Sequence, residues 1–156
     1  MSRDCAICRL HSDPLQVSAF EIVRTPLWVL RHHHHPAPML GWLLLDTLRH
    51  CSGPVDFNSD EASRWGGAVQ QASQLVRDLT ACDRVYAIAF GEGAQHLHLH
   101  LIPRFVADPQ TTAWCVADFY RAVAHGDASA VHPDDIAEFV QRAREHRCSQ
   151  QLLSCC

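Results

Sequence analysis

Three histidines at spacing two, His96, His98 and His100, are the residues in this chain best suited to chemistry. They alternate with Leu97, Leu99 and Leu101, and Ile102-Pro103-Arg104 follows. Period-two alternation marks a strand, in which successive side chains point to opposite faces. The three imidazoles therefore share one face, and the leucines share another that can be buried. Imidazole has an unperturbed pKa of about 6.5. Near neutral pH it is a nucleophile when one nitrogen is free and a backbone carbonyl holds the other N–H. Attack on a phosphate, with neighbouring imidazoles donating to its oxygens, is covalent catalysis in two easier steps. The same spacing also lets two of the three coordinate a transition metal.

A second constellation is Cys5-Ala6-Ile7-Cys8. The C-x-x-C spacing supplies half of a tetrahedral zinc site. A redox dithiol uses the same spacing but follows a strand at a helix start. Only four residues precede Cys5, so zinc is the preferred reading. His32-His33-His34-His35, followed by Pro36 and Pro38, reads as an exposed loop, with local metal chelation as its functional alternative.

Strands must position these groups. Residues 17–24 and 27–31 read as two strands joined by a turn at Thr25-Pro26. Gly41 to Thr47 reads as a third, central strand, leading to Leu48-Arg49-His50. Arg84 to Phe90 is a fourth, and Gly91-Glu92-Gly93 is a turn into the histidine strand. Asn58 to Ala81 is the longest helical pattern, with Ala62, Trp65, Val69, Ala72, Val76 and Leu79 at spacings of three and four. Asn58 and Glu61 fit a capping box, and Gly66-Gly67 suggests close approach by another element. Helical patterns at about 112–124, stopping at Gly126, and 133–147 close the chain. Strands with an inserted long helix, then helices, indicate an antiparallel α+β domain.

The chain's 156 residues suit a single domain, and 47% apolar with 19% charged residues is globular composition. The net charge of −4 argues against an extended nucleic-acid footprint, but a small phosphate ligand needs only a few local donors. No apolar run approaches the ~20 residues of a membrane span. The first residues lack the apolar core of a signal peptide, so the expected location is cytoplasmic. Of the eight cysteines, Cys51, Cys82, Cys115 and Cys148 read as reduced thiols, and Cys155 and Cys156 carry no assigned role.

His-φ-His-φ-His-φ-φ, where φ is apolar, resembles the signature of the histidine-triad (HIT) superfamily of nucleotide hydrolases and transferases. The resemblance runs from Phe90 to Arg104 and extends back through Gly41–His50 to the cysteine pair, about the first two-thirds of the chain. It implies a five-stranded antiparallel sheet with a long helix across one face, paired into a homodimer. Residues 1–105 carry the motifs of this single 1–156 domain, and 106–156 form a helical extension. It implies His98 as nucleophile and His100 as a phosphate contact. By the same carry-over His96 and His50 join Cys5 and Cys8 in a closed, structural Cys₂His₂ zinc site. Gln95 and Arg104 are the candidate substrate contacts, although Gln95 starts on the opposite strand face and Arg104 also suits a solvated surface position.

The chain departs from the common pattern in three places. Gly91-Glu92-Gly93 stands where many relatives have Gly-Gln-Ser, Trp42 stands where relatives often have histidine, and no acid occurs in the ribose-binding region near His32–His35. The resemblance implies an enzyme that cleaves dinucleoside polyphosphates or nucleoside phosphoramidates at the nucleoside-linked phosphate. The alternative is a non-catalytic nucleotide-binding or scaffolding protein that keeps the zinc site.

Overall fold

The computed structural model of the chain describes residues 4–150 and 153. Five strands form one sheet: β1 (Glu21–Arg24), β2 (Trp28–His32), β3 (Leu43–Thr47), β4 (Arg84–Ile88) and β5 (His98–Arg104). Their order is β1-β2-β3-β5-β4, and every neighbouring pair is antiparallel. The helices are α1 (Ala6–Ser12), α2 (Pro14–Phe20), α3 (Ser59–Thr80), α4 (Val116–His125) and α5 (Pro133–Gln150). This is the α+β architecture expected from the order of the elements.

The register separates structure from chemistry. Leu43 and Leu45 lie opposite Leu101 and Leu99, while Leu44 and Asp46 lie opposite His100 and His98. The leucine face packs under α3 and α5, where Leu43, Leu45, Leu101, Ala72, Leu75, Val76 and Phe139 are buried. Each buried leucine there contributes roughly 1.5–3 kcal/mol. The histidine face meets a second apolar cluster of Trp42, Ile102 and Val116, with Tyr120 of α4 against it.

Helix α3 begins as its sequence indicates. The Asn58 side chain accepts from Glu61 N–H (2.9 Å), and the Glu61 carboxylate accepts from Asn58 N–H (2.8 Å), closing the capping box. A cap of this kind is worth about 1 kcal/mol. Ala68 and Leu75 join the buried stripe, whereas Ala62 is exposed. Gly66 and Gly67 face open space rather than a close neighbour. Gly41 is the constrained glycine: its φ is +81°, and a Cβ there would stand 2.4 Å from Thr80 Cγ2. It therefore turns the chain into β3 instead of starting that strand.

Two further local expectations fail. Residues 17–20 are helical, and β1 begins only at Glu21. Asp13 accepts from Leu15 N–H (2.9 Å) and Pro14 takes the first helical position, a start signal that outweighs the apolar alternation of Val17, Ala19 and Phe20. The His32–His35 run is an exposed loop only at its end, at His35. His32 ends β2 and is fully buried against Phe139, and His33 is also buried. Their ring N–H groups are satisfied locally: His32 Nδ1 donates to His33 O (2.9 Å) and His33 Nδ1 to His34 O (2.7 Å).

Cys5, Cys51 and Cys82 are buried free cysteines, Cys8 is buried, and Cys115 is exposed and free. The side chain of Cys148, and Cys155 and Cys156, lie outside the described residues. No helix among the described residues is long and apolar enough to cross a membrane.

Candidate functional site

Helix α1 places Cys5 at its N-cap and Cys8 one turn later, so both thiols fall on one side of the helix. His96 and His50 come to them through backbone pairing beyond the ends of β3 and β5. Thr47 N–H donates to Leu97 O (3.2 Å), and Leu97 N–H donates to Cys51 O (2.8 Å). Arg49, next to His50, forms a two-pronged pair with Glu61 of α3, Nε to Oε1 at 3.0 Å and Nη2 to Oε2 at 2.7 Å. Glu61 thus anchors the His50 segment and the start of α3 together.

The four ligand atoms lie within 4.8 Å of one another. Cys5 Sγ and Cys8 Sγ are 3.6 and 3.5 Å from His96 Nδ1, and Cys8 Sγ is 3.6 Å from His50 Nδ1. Tetrahedral zinc with ordinary Zn–S and Zn–N bonds puts sulfur and nitrogen about 3.6 Å apart. His96 Nε2 donates to Thr47 O (2.7 Å), which leaves Nδ1 unprotonated for a metal. The residues fit a closed four-ligand site. Among the described residues, this is the group of histidine, cysteine and acidic side chains close enough together to hold a metal ion. The alternative of a transition metal held by the three strand histidines has no such cluster.

The strand histidines therefore divide their work. His96 turns toward the cysteines, while His98 and His100 line a cavity of about 530 Å³ shared with Arg31, His33, His34, Leu10 and Tyr120. His98 Nδ1 donates to His96 O (2.6 Å), so its Nε2 carries a lone pair. His100, 3% exposed, accepts from the Trp42 indole N–H at Nδ1 (2.9 Å). Burial, and then the neighbouring His98 and Arg31, push the His100 pKa down to about 3. Burial likewise holds His33 well below the usual histidine range, helped by His34.

Beside the cavity lies a hydrogen-bonded trio that the sequence does not announce. Asp46 of β3 is fully buried; His11 Nε2 donates to its Oδ2 at 2.9 Å and Arg31 Nε at 2.6 Å. Burial alone would raise the Asp46 pKa, but Arg31 and His11 hold it at about 2. Arg31 thus reaches the cavity with a counter-ion fixed behind it. A single aspartate directly after the apolar run Leu43–Leu45 is the available signal; its partners at 11 and 31 become visible only in the fold.

The two expected substrate contacts are placed differently. Gln95 is exposed and lines a separate hollow of about 300 Å³ that also reaches His98. Arg104 sits at the far end of β5, six residues and roughly 20 Å along the strand from His98. There its guanidinium donates to Asp108 O (3.1 Å) and Thr111 Oγ1 (2.9 Å). The structure does not bring it to the histidine cavity.

No family model and no curated protein matches the sequence. Solved structures match the fold. A zinc-bound histidine triad family protein from Mycobacterium smegmatis superposes with a TM-score of 0.67 at 14% identity, covering 94% of this chain and 97% of its own. A Hit-like protein from Bartonella henselae, described as involved in cell-cycle regulation, gives 0.62 at 16% identity, covering 89% and 90%. A histidine triad protein from Marinobacter aquaeolei gives 0.61 at 17%, covering 92% and 94%. The chain has the histidine-triad fold.

Proposed function

We propose that this protein is a nucleotide hydrolase or nucleotidyl transferase of the histidine-triad type. It acts at the nucleoside-linked phosphate of dinucleoside polyphosphates or nucleoside phosphoramidates. One observation carries the reading: the 2.6 Å bond from His98 Nδ1 to the His96 carbonyl, which leaves Nε2 as a free nucleophile at the wall of a substrate-sized cavity.

The chemistry balances without a further reactant. The His98 Nε2 lone pair attacks phosphorus, and an N–P bond forms as the bond to the leaving oxygen or nitrogen breaks. Water then attacks the same phosphorus. The N–P bond breaks, the mononucleotide leaves, and a water proton ends on the leaving group or solvent. His100 donates to a phosphate oxygen as charge develops, and Arg31 at the cavity wall supplies positive charge. The hollow lined by Gln95 receives the leaving portion of the substrate. With neither Glu92 nor Gly93 offering a hydroxyl, phosphate contacts rest on imidazoles and backbone.

Cys5, Cys8, His50 and His96 would hold a structural zinc ion, which fastens α1 beside the catalytic strand and contributes to folding. The M. smegmatis neighbour, itself zinc-bound, supports this choice of metal. The protein works in the cytoplasm as a homodimer. β4 ends the sheet, and its Val85, Tyr86 and Ile88 are only half-buried, which supports pairing of two copies.

Incubation with a panel of adenosine phosphoramidate and dinucleoside polyphosphates, with mononucleotide read by chromatography, tests the reading. Wild type should release mononucleotide and His98→Ala should not. Absence of release by folded wild type from every compound would favour a non-catalytic nucleotide-binding protein instead.

A further inference from the structure

Two neighbouring imidazoles on one strand need opposite protonation patterns if one is to attack and the other to donate. Trp42 is fully buried, and its indole N–H, which can only donate, points at His100 Nδ1 from 2.9 Å. That nitrogen must therefore be unprotonated, and Nε2, on the other side of the ring, is left to carry the proton. We propose that Trp42 is a positioning residue that locks His100 in the Nε2–H tautomer, making His100 a neutral hydrogen-bond donor beside the His98 nucleophile.

The surroundings enforce the same state. The His100 ring meets His98 on its own strand at 5.3 Å, Phe90 at 4.9 Å, Tyr120 of α4 at 6.1 Å and His33 of β2 at 6.3 Å between centroids. The charged groups that face it are Arg31 of β2, which opposes a second positive charge, and Asp46 of β3, which favours one. Arg31 and Asp46 are bonded to each other, so the carboxylate is already neutralised. Protonating Nδ1 would also set two N–H groups against each other at the indole. His100 thus donates without itself gaining or losing a charge near neutral pH.

Nuclear magnetic resonance of the full chain carrying ¹⁵N-histidine tests this directly, with His100 identified by the signals lost in His100→Gln. Across roughly pH 5–8, wild-type His100 should show an unprotonated Nδ1, a protonated Nε2 and no titration. In Trp42→Phe the His100 signals should shift toward a mixture of Nδ1–H and Nε2–H tautomers. A wild-type His100 that carries its proton on Nδ1, or titrates there, overturns the proposal, as does a folded Trp42→Phe with unchanged His100 signals. The wild-type measurement needs no folded variant. The activity arm rests on the proposed hydrolase function. There Trp42→Phe should lose roughly tenfold in kcat at neutral pH with little change in KM, because a transition-state donor is weakened while the cavity remains. A loss confined to KM contradicts it. If wild type turns over no substrate, the hydrolase reading falls, and the nitrogen signals still decide the role of Trp42.

Discussion

His98 and His100, with ring centroids 5.3 Å apart on one strand, are held in opposite tautomers. A backbone carbonyl takes the Nδ1 proton of His98, and an indole N–H fills the Nδ1 lone pair of His100. One ring thereby keeps a free lone pair at Nε2 and the other keeps a proton there. The same strand periodicity that aligns the rings leaves their protonation to different partners.

A metal held by the Cys₂His₂ cluster should make metal content and stability rise and fall together. One zinc ion per chain should be found, lost in Cys5→Ser and retained in His98→Ala. Chelation should lower Tm by roughly 10 °C, since ligand at ~1,000-fold its Kd contributes about 4 kcal/mol and a domain of this size shifts about 2–4 °C per kcal/mol. Elemental analysis and thermal denaturation of the same samples check both. Equal Tm with and without the metal would remove zinc from the folding account.

The buried trio should be sensitive to the loss of one member. Asp46→Asn leaves Arg31, itself 5% exposed, without its counter-charge. Urea unfolding should show a loss of about 3–5 kcal/mol. Asp46→Leu combined with Arg31→Met should cost far less, because an apolar replacement removes both desolvated charges together. A loss in the double variant as large as in Asp46→Asn would mean that the trio is not acting as a charge pair.

Acid should destabilise the fold beginning well above the carboxylate range. His32, held down to about 4 by burial, and His100, at about 3, stay neutral in the folded chain while they protonate in the unfolded one. The unfolded state then binds more protons, so stability is present above about pH 6.5 and is lost as pH falls toward 4. His32 alone accounts for about 3 kcal/mol across that window. Asp46 adds its own loss lower down, as pH falls from its ordinary 3.8 toward 2. Urea midpoints from pH 7 to 4 at saturating zinc should fall, and His32→Gln should flatten the slope. A wild-type midpoint independent of pH over this range contradicts the burial of neutral histidines.

The sequence carries the sheet, the long helix and the paired metal motif because each rests on local periodicity or spacing. Leucine at every second position around His98 makes the buried face visible, and Asn58 with Glu61 marks where α3 starts. The cavity walls were hidden for a different reason. A four-histidine run looks like solvent-exposed loop, yet His32 and His33 bond their own backbone and lie under Phe139 and Tyr120. His11, Arg31 and Asp46 come from three elements, and nothing in their local context joins them. Helix α2 was obscured because Val17, Ala19 and Phe20 fit a strand as well as a helix, and only Asp13-Pro14 separates the two. Arg104 looked available at a strand end, but Thr111 and the Asp108 carbonyl occupy it.

His98 should become covalently attached to the nucleotide during turnover. Mixing wild type with a cleaved substrate, quenching in denaturant during turnover and measuring intact mass tests it most directly. One nucleotidyl group should be added per chain, located by peptide mapping to His98 and absent from His98→Ala. Turnover that proceeds with no adduct at His98, or at an undiminished rate in His98→Ala, would contradict it.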